Sequence, residues 1–135
     1  MRSIIRQSIV LPASASSLYA MYLDPALHAE ITGAPVTIDK ATGAPFQGFE
    51  GRLSGTLLTV VEPTLIVQSW RSVQFNDDDP DSTLILTFTP AGQEGRIDLV
   101  HLDVPSHDHQ GVTDGWETYY WTPWRRYLAR DSGPE

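Results

Sequence analysis

A histidine on the apolar side of a strand is the residue best placed to do acid–base chemistry. In Arg96-Ile97-Asp98-Leu99-Val100-His101 the charges at 96 and 98 mark the solvent face, so Ile97, Leu99 and His101 point inward. Imidazole titrates near neutral pH, so His101 would serve as a general base or a polar anchor for a substrate that reached it. The alternative is a core histidine whose nitrogens are satisfied by neighbours. No acid adjacent in the sequence orients it, and the one candidate partner is Glu117, about a turn from Tyr120 on a helix.

A second set of residues would bind rather than react. Trp70, Trp116, Tyr119 and Tyr120, with Phe46, Leu86, Phe88, Leu99 and His101, would wall a pocket for a planar or apolar ligand, and Pro123 is placed with them. The competing reading is a solid core, because aromatic stripes at helical spacing commonly serve packing. A buried phenol needs a hydrogen-bond partner, so an inward Tyr119 or Tyr120 would pair with a strand group such as His101 or with a ligand.

Other motifs fail on their spacing. His107-Asp108-His109 sets two imidazoles around a carboxylate, but no third metal ligand is apparent, and Pro105 and Gly111 make it a solvated loop. Asp77, Asp79 and Asp81 imitate the start of a calcium loop. Ser82 then stands where glycine is needed and Phe88 where the bidentate glutamate is needed, which leaves a charged hairpin tip. Gly51-Arg52-Leu53-Ser54-Gly55 is not the Gly-x-Ser-x-Gly elbow of hydrolases, and the glycine-rich phosphate motifs are missing. No metal or cofactor is expected.

Composition narrows the partners. The 135 residues suit one domain, over 1–130, with a disordered tail at 131–135 and no linker or repeat. There is no cysteine, hence no disulfide, thiolate nucleophile or cysteine-type metal site. A net charge of −8 repels phosphate backbones and anionic lipid, so neither nucleic acid nor membrane is an expected partner. No apolar run has the ~20 residues of a membrane span, and the N-terminus lacks a signal-type apolar core, so the cytoplasm is the expected compartment.

These residues need elements to hold them. Ser3 to Leu11 predicts a strand, and Ser14 then caps a short helix in which Leu18, Met21 and Tyr22 recur. Asp24-Pro25 starts another helix, Ala26 to Ile31, which Gly33 stops. Turn residues at Gly43-Ala44-Pro45, Glu50-Gly51, Glu62-Pro63, Asn76 to Asp81 and Ala91 to Gly95 then separate β-rich stretches up to Val104. Leu84, Leu86 and Phe88 share one face of such a stretch. Apolar residues at 112, 116, 119, 120, 123, 127 and 128 predict one long helix from Val112 to Arg130, which Pro123 would kink. Trp121 and Trp124 fall off that stripe, and as exposed rings they would offer a homodimer contact.

In this order the elements resemble the START-related, birch-pollen-allergen-like (SRPBCC) superfamily, and within it the activator of heat-shock-protein-90 ATPase homologue-like family. The residues that carry the resemblance are Pro12-Ala13, Gly51-Arg52-Leu53-Ser54-Gly55, the run from Glu62-Pro63 to Trp70-Arg71, Gly115-Trp116, and Pro123-Trp124-Arg125-Arg126-Tyr127-Leu128. One departure is Gly43-Ala44-Pro45-Phe46, where that family has a paired-glycine turn. The resemblance implies an α+β helix-grip fold: a seven-stranded curved antiparallel sheet wrapped around a long C-terminal helix, with a cavity between them. It implies no reaction, because fold does not carry function. Three functions follow as expectations: binding or carriage of a small hydrophobic molecule, an enzyme acting on such a molecule, and a co-chaperone of a heat-shock ATPase in the stress response.

Overall fold

The computed structural model describes residues 2–130, and the expected disordered tail lies outside them. Strand β1 (Arg2–Leu11) opens the fold. Ser14 begins α1 (Ala15–Leu23), its hydroxyl accepting from the Ser17 N–H at 3.2 Å. Asp24 begins α2 (Pro25–Thr32) by accepting from the Ala26 and Leu27 N–H groups, and Gly33 closes it in the left-handed region at φ 79°. Both caps and this stop are those predicted from local chemistry.

The strands that follow are β2 (Val36–Thr37), β3 (Pro45–Gly48), β4 (Leu53–Val61), β5 (Leu65–Ser72), β6 (Ser82–Ala91) and β7 (Glu94–Pro105). With β1 they form an antiparallel seven-stranded sheet in the order β1-β7-β6-β5-β4-β3-β2. That order follows from the connections. Short turns make neighbours of β2 through β7, while α1 and α2 carry the chain from one edge of the sheet to the other. Gly43, at φ 90°, makes the turn before β3 as a single left-handed glycine, its N–H bonded to the Leu57 carbonyl. At Gly55 a Cβ would collide with the Ser69 carbonyl oxygen, so β4 can lie against β5 there only with glycine.

The sheet alternates as its sequence does. Leu84, Leu86 and Phe88 of β6 and Ile97, Leu99 and His101 of β7 are buried, whereas Arg96 and Asp98 form an ion pair at 3.0 Å on the outer face. On the inner face α1 packs across β6 and β7. The C-terminal helical segment fills the remaining space, with α2 against its end. No described helix is long and apolar enough to cross a membrane.

The long C-terminal helix is present, and its irregularity at Pro123 takes the form of a π turn rather than a kink. A 3-10 turn at Ser106–Asp108 leads into α3 (His109–Trp116), a π-helical turn spans Glu117–Trp121, and α4 (Thr122–Arg130) completes it. The stretch expected as a loop at 107–109 is therefore already helical turn. In the π turn the Thr122 N–H bonds the Glu117 carbonyl. Pro123 explains it: proline has no N–H for the Tyr119 carbonyl, and its ring would clash with that oxygen in an α-helix, so the chain widens just before it.

One extra residue in a turn moves every later side chain to a new face. The buried stripe runs Val112, Trp116, Tyr120, then Trp121, Trp124 and Leu128, while Tyr119 is 56% exposed. This corrects two expectations. Tyr119 does not point into the core, and Trp121 and Trp124, at 4% and 1% exposure, offer no surface for a homodimer. The Trp121 indole N–H donates to Gln7 Oε1 at 2.6 Å, and the Gln7 amide donates to the Thr113 carbonyl, which ties the segment to β1.

Candidate functional site

His101 stands at the centre of the inner face with both ring nitrogens in use. The Trp116 indole can only donate, so its Nε1–H gives a hydrogen bond to His101 Nδ1 at 3.2 Å and fixes the proton on Nε2. Nε2–H then donates to Ser82 Oγ at 2.8 Å, and the Ser82 hydroxyl donates to the Trp70 carbonyl at 2.6 Å. Burial lowers the pKa of His101 to about 3, so the ring stays neutral. Glu117, the one candidate acid partner, is exposed on the π turn and accepts from Thr122 Oγ1 at 2.6 Å instead. His101 has no lone pair left for a substrate.

A second buried histidine, unmarked by any motif, builds a longer polar chain. His28 Nδ1–H donates to the Tyr22 carbonyl at 2.7 Å, so its Nε2 is the acceptor for the Tyr120 hydroxyl at 2.8 Å. The Tyr22 hydroxyl in turn donates to Gln68 Oε1 at 2.6 Å. Burial lowers the pKa of His28 to about 4 and raises those of Tyr22 and Tyr120. Every member is thus neutral, and α1, α2, β5 and the π turn meet through them. Only the Gln68 amide nitrogen among these polar atoms lacks a partner.

Beside this cluster lies a cavity of about 280 Å³ between the β3–β4 turn, β5 and the C-terminal segment. Trp70, Trp116 and Tyr120 form its inner wall, and Tyr119 and Phe49 its outer one. Phe49 is held by a tight turn in which it and Glu50 take left-handed conformations at φ 52° and 60°. That places the Phe49 ring edge-on to Tyr119 and Tyr120, at 5.5 and 6.2 Å. Gly111 and Gly115, one turn apart on α3, leave the space that larger residues would fill. Trp70, at the base of the wall, keeps a buried indole N–H with no partner. Arg52, Gln74 and Asp108 stand around the opening.

The residues singled out in the sequence thus divide. Trp70, Trp116, Tyr119 and Tyr120 line the cavity. Phe46, Leu86, Phe88, Leu99 and His101 are buried but lie outside its wall, as packing beneath it. Pro123 is turned away altogether, into a shallow surface cleft between α2 and α4. Phe49, Asp108 and the two helix glycines were not legible as wall residues, because their role depends on the β3–β4 turn meeting α3 across the fold.

The two histidine-rich and acidic motifs also disperse. His107 Nε2 meets Asp79 Oδ2 at 3.0 Å, whereas His109 Nδ1 lies 2.6 Å from Ser3 Oγ, so the imidazoles face different elements. The hydrogen bond from His107 lowers the pKa of Asp79, and Asp81 pairs with Arg71 at 3.2 Å. Asp108 is half-buried, and that burial raises its pKa.

Comparison with known proteins places this architecture. The pattern of the family described as Activator of Hsp90 ATPase homolog 1-like protein matches residues 12–129. An uncharacterised protein of Schizosaccharomyces pombe is 29% identical over 119 residues, which are 88% of this chain and 35% of that protein. The chain therefore spans about a third of the length of that relative. Among solved structures, an HSP90 activator from Plasmodium falciparum superposes with a TM-score of 0.84 at 18% identity, covering 93% of this chain and 96% of its own. A protein of Mesorhizobium loti gives 0.80 at 16% identity, covering 95% and 98%. Such identities speak for the fold alone. With the family pattern running from the end of β1 to the last turn of α4, the chain belongs to the activator of Hsp90 ATPase homologue-like family of the SRPBCC superfamily.

Proposed function

We propose that the chain binds, and carries, a small and mostly apolar molecule in the cavity between the β3–β4 turn, β5 and α3, acting as one domain over residues 1–130 in the cytoplasm. The observation that carries this reading is the cavity itself: about 280 Å³, walled by aromatic rings, at a place where side chains of ordinary size on α3 would close it. A concave space of this size, open on one side and walled by aromatic rings opposite two glycines, has the shape and lining of a small-molecule site. Neither buried histidine supports a reaction, since both rings are neutral and hydrogen-bonded to protein groups at each nitrogen.

The test is native mass spectrometry of the protein recovered from its own host, joined to a thermal-shift screen of apolar and aromatic metabolites. Retained mass or a raised melting temperature supports the reading. Failure of every compound, with no mass retained, overturns it.

A second reading rests on the family description and on the Plasmodium falciparum protein named as an HSP90 activator. In it the chain stimulates the ATPase of a heat-shock chaperone. The check is the ATPase rate of the host's own chaperone with and without the chain, and an unchanged rate removes the reading.

A further inference from the structure

We infer that the ligand of the cavity is an organic cation with a compact aromatic or apolar body, its charge set against the Asp108 carboxylate. This deepens the binding reading above and rests on it.

Asp108 precedes α3 at the position where an acidic side chain ordinarily caps the helix, yet it makes no cap hydrogen bond. It lies along Gly111 instead, so close that a Cβ there would come within 2.8 Å of Oδ1. The carboxylate is thereby held in the cavity wall, half-buried, with no hydrogen bond or ion pair among the described residues. A half-buried carboxylate without a partner has lost part of its hydration, and a ligand cation is the group that would offset that loss.

The rest of the wall has the same preference. Trp70, Trp116, Tyr119 and Phe49 present aromatic faces and edges around the space, and ring faces attract cations, tryptophan most strongly. The β5–β6 loop, which supplies Val73 and Gln74 to the opening, continues into Asp77, Asp78, Asp79 and Asp81. A net charge of −8 draws cations to the surface as a whole. The positive Arg52 at the opening opposes this, and the His107 imidazole lies beside Asp108. Arg52 is exposed on a flexible stem, and His107 is engaged by Asp79. A volume of about 280 Å³ limits the body to one or two rings.

The experiment is an NMR titration at neutral pH and low salt with three probes of one shape family: benzyltrimethylammonium, benzyl alcohol and phenylacetate. It is run on the wild type, Asp108→Asn and Arg52→Gln. The expected result is that the cation binds roughly tenfold tighter than the alcohol, and that D108N removes this advantage while leaving the alcohol unchanged. Equal affinity for cation and alcohol, or a cation affinity untouched by D108N, overturns the inference while the cavity stands as a binding site. Tightest binding of phenylacetate, lost in R52Q, overturns it in favour of an anionic ligand. Binding of none of the three overturns the cavity reading as well.

Discussion

Trp116 and His101 meet through one hydrogen bond, the indole Nε1–H donating to the imidazole Nδ1 at 3.2 Å. Because an indole cannot accept, that bond decides where the imidazole proton sits, and the proton on Nε2 then continues the chain through Ser82 to the Trp70 carbonyl. The histidine that looked most reactive in the sequence is a brace joining β6 and β7 to α3.

His101→Ala is accordingly expected to destabilise the fold, by about 2–4 kcal/mol, since it opens a space and leaves the buried Trp116 indole N–H without its acceptor. Urea unfolding measures it. A variant as stable as the wild type would show that the brace carries no load.

Tyr120→Phe removes the donor to His28 Nε2 and leaves a buried acceptor unsatisfied, at a cost of about 1–3 kcal/mol. The same substitution in a His28→Phe background is expected to cost less, because the two groups share one hydrogen bond. A double-mutant cycle in urea reads the coupling, and additive losses would contradict the pairing.

The buried histidines also set a pH dependence. His28 and His101 have pKa values lowered by burial to about 4 and about 3, against about 6.5 in an unfolded chain. Above pH ~6.5 neither state binds the protons, and stability is fully present. As the pH falls below this, the unfolded chain gains protons the folded one refuses, so stability declines by up to about 1.4 kcal/mol per pH unit for each histidine. Asp79, lowered by His107, adds to the loss at lower pH, whereas Asp108, raised by burial, opposes it. His101→Gln should reduce the proton uptake on unfolding near pH 5 by about one. Urea midpoints between pH 8 and 5 give the slopes, and identical slopes would contradict the assignment.

Gly115→Leu tests the cavity without touching a polar group. A Cβ at Gly115 meets only Tyr119 Cδ2, at an ordinary 3.7 Å, so the backbone accepts the change. Leucine favours a helix over glycine by up to about 1 kcal/mol, so stability should hold or rise. Its side chain enters the cavity, and binding of any cavity ligand should be lost. Unchanged binding in a thermal-shift assay would place the ligand elsewhere.

Much of this fold is written in short stretches of sequence, because caps, stops and period-two alternation act between neighbours. Ser14, Asp24 and Gly33 bounded α1 and α2 by their own chemistry, and the charges of Arg96 and Asp98 were enough to turn His101 inward. What surrounds that ring could not be read there, since Ser82 and Trp116 reach it from other elements. The phase of the C-terminal segment was equally out of reach. Pro123 announces an irregularity, but whether it becomes a kink or a π turn depends on where Trp121 and Trp124 find burial against the sheet and on Gln7. A single inserted residue then exchanges Tyr119 for Trp121 on the inner face. The wall made by Phe49, Asp108 and Trp70 likewise joins residues far apart in the chain. Local pattern names the faces, and only packing between distant elements decides which side chains meet.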